Sequence, residues 1–197
     1  MLDSPYVRRT AIALRLLGLP FTHRSLSVFS NFDEFQSINP QVKAPTLVLD
    51  DGSLLVDSNL IIDWAEIHSD QPSLLPREPV ERLRALQLVG AALTASEKSV
   101  QIVYEGKRAA DKRDAAWLQR VNGQLHAAYA VLERELDGVD GWLFGSKPGQ
   151  ADISIAVAWG FTQLVAPETV GAAAYPRLAA FAARAEQHPD FVALPPV

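Results

Sequence analysis

Residues 45–58 read PTLVLDDGSLLVDS, two short apolar runs on either side of Asp50, Asp51, Gly52 and Ser53. Apolar runs flanking an Asp-Gly pair predict a β-hairpin, with Gly52 at the turn position that requires a positive φ. The next stretch, NLIIDWAEIHS (59–69), carries Leu60, Ile61, Trp64 and Ile67 at helical spacing, so one face made of these four is expected. Asp57 and Ser58 stand where such a helix takes its N-cap.

Working outward, the segments before the hairpin alternate in type. Ile12, Ala13, Leu16 and Leu17 recur at helical spacing and Gly18 and Pro20 follow, which predicts a helix over 5–17. FTHRSLS (21–27) alternates as a half-buried strand does, and NFDEFQSINP (31–40) reads as a short helix or turn ending by Asn39. DQPSLLPREP (70–79) holds three prolines in ten residues and reads as a linker. Beyond it only helical patterns occur, over 80–108, 114–138, 150–165 and 175–188.

The chain therefore divides into residues 1–75, mixed α and β, and residues 76–197, all α. A strand ahead of Ser4 completes β-α-β-α-β-β-α, a thioredoxin-like domain with a mixed four-stranded sheet. Met1 to Asp3 supply at most the last residue or two of that strand. The expectation is that the native product begins a few residues upstream, with an apolar strand of roughly five residues.

Composition narrows the chemistry. The 197 residues carry a formal charge of −5, which provides no electrostatic reason to bind nucleic acid or an anionic membrane. Cysteine is absent, so disulfides, thiolate metal sites and a cysteine nucleophile are excluded, and any sulfur chemistry takes its sulfur from a ligand. His23, His68, His126 and His188 have no companions at ligand spacing, and no metal site is expected. No apolar run has the ~20 residues of a membrane span and no signal peptide is evident, so the expected location is the cytoplasm.

Three motifs have both a structural and a chemical reading. Pro45 heads a strand, where a trans proline is the ordinary case and a cis Ala44-Pro45 bond the rarer one. Asp57 and Ser58 either cap a helix or, with its free N–H groups, receive a ligand carboxylate while Asp57 faces an ammonium. Ser4 precedes Pro5 at a helix start, as a cap or as a hydroxyl that donates to a bound thiolate.

SPYVRR (4–9), KAPTLV (43–48), LVDSNLII (55–62) and GQADISIA (149–156), in that order, resemble the soluble glutathione transferase superfamily, in a serine-type, bacterial-like form. The resemblance implies that Ser4 hydrogen-bonds the glutathione sulfur and stabilises its thiolate. It implies that Ala44 pairs through its backbone with the extended tripeptide beside a cis Pro45. Asp57 and Ser58 are then expected to grip the γ-glutamyl end, and Lys43 the glycyl carboxylate. Tyr6, Tyr104, Arg108 and Trp159 are candidates for the pocket of a small hydrophobic electrophile.

Two residues depart from the family pattern: Ala44 where a β-branched residue is usual, and Gly149 where the buried capping box usually has Ser or Thr. The function implied is glutathione transfer, with glutathione as co-substrate and detoxification as its setting. The alternatives are a glutathione-dependent isomerase or dehalogenase, and a non-catalytic interaction module on the same fold. The resemblance also implies a homodimer.

Overall fold

Helix α1 (Pro5–Leu16) begins where proline supplies a preset φ and has no N–H to leave unpaired. It ends at Gly18, φ +70°, whose N–H donates to Arg15 O while Leu19 N–H donates to Leu14 O, the paired bonds of a Schellman cap. This computed structural model describes residues 1–196. They form two units: Leu75–His188, and residues 1–74 together with the chain from Pro189 onward.

In the first unit α1 is followed by α2 (Phe32–Ile38), β1 (Thr46–Val48), β2 (Leu54–Val56) and α3 (Ser58–Ile67). β1 and β2 pair antiparallel with Thr46 opposite Val56 and Val48 opposite Leu54. Gly52 turns the hairpin at φ +83°, and Asp51 Oδ1 accepts from Ser53 N (2.9 Å) and Ser53 Oγ (2.6 Å). Pro45 thus precedes one strand and Asp57 follows the other at the same end of the ribbon.

Three features differ from the sequence pattern. Residues 21–27 form no strand, and the sheet has two strands among the described residues instead of four. An alternating stretch becomes a strand only where a neighbour takes its N–H and C=O groups. Here Leu26 N bonds back to Arg24 O, and Leu26 O accepts from the Met1 amino group at 3.4 Å. The buried stripe of α3 is Ser58, Ile61, Ile62 and Ala65, which leaves Leu60 and Ile67 at 56% and 76% exposure. The tail, expected with the helical half, lies on α1. Arg8 Nε donates to Leu194 O (2.8 Å), its guanidinium covers the Phe191 ring, and Arg15 pairs with Asp190 (3.0 Å).

The second unit holds α4 (Pro79–Gly106), α5 (Ala115–Glu135), α6 (Gln150–Val165) and α7 (Pro176–Ala185); α4 packs on α5 and α6, and α6 on α7. The short helix α8 (Pro189–Val192) belongs to the tail. α6 is buried on all sides from Ala151 to Trp159, as a central helix must be when it is apolar all round. Its one buried carboxylate, Asp152, accepts from Leu143 N (2.9 Å) and Gly149 N (2.8 Å). Burial pushes the Asp152 carboxyl up to about 6, against the opposing pull of these N–H groups and of Arg184. Among the described residues no helix is long and apolar enough to cross a membrane.

Candidate functional site

The end of the hairpin that carries Pro45 and Asp57 is built from backbone conformations that side chains rarely adopt. Val42 has φ +47° and Asp57 φ +77°, and the Ala44-Pro45 bond is cis. A positive φ at a non-glycine residue costs about 1–3 kcal/mol, and such residues gather where a ligand is clamped. Asn39, itself buried, supports the loop: its Nδ2 donates to Thr46 Oγ1 (2.9 Å) and its Oδ1 accepts from Gln41 N (3.0 Å). Thr46 Oγ1 in turn donates to Lys43 O at 2.6 Å.

Across the ribbon, Asp57 caps α3 by accepting from Asn59 N (3.0 Å) through Oδ1, and its Oδ2 lies 3.4 Å from Lys43 Nζ. Lys43, Ala44, Pro45, Asp57 and Ser58 therefore meet at one end of the hairpin. The first N–H groups of α3 have no partner within the helix and supply partial positive charge there.

Ser4 is the N-cap of α1 by position, yet its hydroxyl makes no cap hydrogen bond. No acidic residue lies in the first turn of α1 to offset the positive end of the helix. The buried Arg9 joins this end of α1 to the start of α3, its Nη1 donating to Ser58 Oγ (2.9 Å) and Asn59 Oδ1 (2.8 Å). Burial brings the Arg9 guanidinium down to about 10, while Asp57 and Tyr6 act in the opposite sense, so it stays charged at neutral pH.

Residues 1–73 match the family model described as glutathione S-transferase, N-terminal domain, and residues 115–184 match its C-terminal counterpart. A maleylacetoacetate isomerase of Pseudomonas aeruginosa is 31% identical over 93% of this chain and 87% of its own. The chain belongs to the glutathione S-transferase family. Among solved structures, a glutathione S-transferase of Methylobacterium radiotolerans in complex with glutathione sulfonate superposes with a TM-score of 0.89. It is 29% identical over 98% of this chain and 90% of its own. A glutathione transferase family member of Pseudomonas fluorescens with bound glutathione gives a TM-score of 0.85 at 30% identity, covering 100% of this chain and 97% of that one.

In this glutathione S-transferase family member, the residues read as a second-substrate pocket are not all in comparable places. Tyr6 lies in the first turn of α1, two residues after Ser4. Tyr104 is exposed near the end of α4. Arg108 lies just past that end, and its Nη1 donates to both oxygens of Glu105 (3.0 and 3.2 Å). The Asp114 N–H first, and then Arg108, hold the Glu105 carboxyl below its ordinary value. Trp159 is buried in the second unit, edge-on to Tyr129 at 5.3 Å and to Tyr175 at 6.1 Å between ring centroids.

Arg9, Asn39 and Asn59 escaped the reading of the sequence. Arg9 had a signal: it stands four residues before Ala13, so the apolar stripe of α1 continues into a cation. A charge on a core-facing stripe is buried with partners or not at all. Asn39 stands before Pro40 in a turn, where Asn commonly bonds the backbone two residues on.

Proposed function

We propose that this protein activates the thiol of glutathione for attack on a small hydrophobic electrophile. The carrying observation is the Ser4 hydroxyl, which stands at the positive end of α1 without a cap bond to satisfy it. In this reading Ser4 O–H donates to the glutathione sulfur and, with the helix end, favours the thiolate after its proton has passed to solvent. Each unit by which the thiol pKa falls corresponds to ~1.36 kcal/mol of preference for the ionised form.

The extended tripeptide pairs with the backbone of Ala44 beside Pro45, as an added strand does. Asp57 takes the ammonium and Ser58 the carboxylate of the γ-glutamyl end, and Lys43 takes a carboxylate. The sulfur then forms a bond to the electrophilic carbon while a leaving group departs or a conjugated double bond accepts the electron pair. Positioning and thiolate stabilisation supply the rate.

A second reading, glutathione-dependent isomerisation, is favoured by the 31% identity over 93% of the chain to a maleylacetoacetate isomerase. There the same thiolate adds to an activated double bond and is expelled after rotation, so glutathione is returned unchanged. The location consistent with a supply of reduced glutathione is the cytoplasm. The exposed Leu60 and Ile67 on α3 support a homodimer that covers them.

Calorimetric titration with glutathione, followed by assays on conjugation substrates and on keto acids with a cis double bond conjugated to a carbonyl, tests the proposal. Binding with product formation in either class supports it and separates the two readings. A Ser4→Ala variant with unaltered turnover and unaltered thiol pKa overturns the role of Ser4, and no measurable glutathione binding leaves the interaction module as the function.

A further inference from the structure

Arg9 is a buried cation on the core-facing stripe of α1, and the mechanism above makes no use of it. A guanidinium can only donate. Its Nη1 donates to Ser58 Oγ at 2.9 Å, which occupies a lone pair of that oxygen, and to Asn59 Oδ1 at 2.8 Å, which fixes the Asn59 amide with its oxygen inward. With Ser58 Oγ already accepting, the Ser58 O–H is left to donate, and no group among the described residues accepts from it. The neighbouring Asp57 has the opposite polarity: its carboxylate can only accept, and it does so from Asn59 N and Lys43.

We propose that Arg9 is a positioning residue for substrate recognition: by donating to Ser58 Oγ it makes Ser58 a hydrogen-bond donor to a ligand carboxylate, beside Asp57 as acceptor for a ligand ammonium. The start of α3 is thereby specific for an α-amino-acid head group, and the γ-glutamyl end of glutathione is the one that has it. The inference rests on the glutathione reading above. It adds that the carboxylate is recognised through a buried arginine that never touches it.

The test compares glutathione with its analogue lacking the γ-glutamyl α-carboxylate, 4-aminobutyryl-cysteinyl-glycine, by titration calorimetry on the full chain. The wild type is expected to prefer glutathione by about tenfold or more, the worth of a hydrogen bond to a charged group. Ser58→Ala and Arg9→Met are each expected to reduce that preference to about threefold or less, and the double variant to lose no more than Ser58→Ala alone. Arg9→Lys retains the charge but lacks the planar fork, and it is expected to lose at least about threefold of the preference. In the Arg9 variants KM for glutathione rises by a larger factor than kcat at saturation falls.

An Arg9→Lys protein with the full wild-type preference overturns the inference, even if Arg9→Met does not fold. Equal weakening of both ligands by the Arg9 variants also overturns it, since that is the mark of a merely structural residue. A wild type that binds neither ligand overturns the glutathione reading and this inference with it.

Discussion

Lys43 Nζ lies 3.4 Å from Asp57 Oδ2, an ion pair that closes the end of the hairpin between the approach to β1 and the exit from β2. Both side chains are open to water, at 53% and 39% exposure, so the pair itself adds only about 0–1 kcal/mol to stability. A zwitterionic ligand can replace each half of the pair with a group of the same sign. Lys43→Ala is therefore expected to shift the melting temperature by no more than about 4 °C while weakening glutathione about tenfold. Thermal unfolding and calorimetric titration read the two effects separately. An unchanged affinity removes Lys43 from the site.

Ser4 provides a sharper contrast between a cap and a reactive hydroxyl. Where a serine side chain caps a helix, its replacement by alanine costs ~1 kcal/mol. Ser4 makes no such bond, so Ser4→Ala is expected to change unfolding free energy by less than about 0.5 kcal/mol. The same change is expected to raise the pKa of the bound glutathione thiol by about one unit or more, read from thiolate absorbance against pH. Loss of stability without a change in thiol pKa returns Ser4 to the role of a cap.

Asn39 supports the loop without reaching the ligand. Its amide bridges Thr46 Oγ1 and Gln41 N from a buried position, so Asn39→Ala removes two hydrogen bonds that tie the loop together, at a cost of about 0.5–1.5 kcal/mol each. Because the loop holds Lys43 and Ala44, glutathione affinity should fall with it, while kcat at saturation stays near wild type. Urea denaturation and steady-state kinetics check both, and a variant of wild-type stability sinks the argument.

Legibility in the sequence followed how local each cause was. Gly18 and Gly52 mark their turns because a positive φ is a demand of the backbone at that residue alone. The hairpin and its two flanking motifs were legible for the same reason, and pairing Thr46 with Val56 brings Pro45 and Asp57 to one end. The cis state of the Ala44-Pro45 bond was not readable from the dipeptide, whose ordinary state is trans. Residues 21–27 show the opposite failure: their alternation is real, but a strand also needs a neighbour, and periodicity does not report one. On α3 the apolar residues outnumber the buried positions, so the pattern alone chose Leu60 and Ile67 where packing chose Ile62 and Ala65. Arg8 was hidden because its partner, the carbonyl of Leu194, lies 186 residues away along the chain.

The last prediction concerns Asp152, whose buried carboxyl is raised from an ordinary 3.8 to about 6. Between those two values the folded protein holds a proton that the unfolded chain has released. Stability therefore falls as pH rises through that window and levels off above it, the reverse of the usual carboxylate. At ~1.36 kcal/mol per pKa unit the full effect is at most about 3 kcal/mol. Asp152→Asn cannot titrate, and its amide still offers one acceptor to the pair formed by Leu143 N and Gly149 N. Urea denaturation of both proteins from pH 4 to pH 7 is expected to show the wild type losing about 2–3 kcal/mol relative to Asp152→Asn, most of it before pH 6. A difference that stays flat, or grows in favour of the wild type with rising pH, shows that the two N–H bonds outweigh burial and keep Asp152 charged throughout.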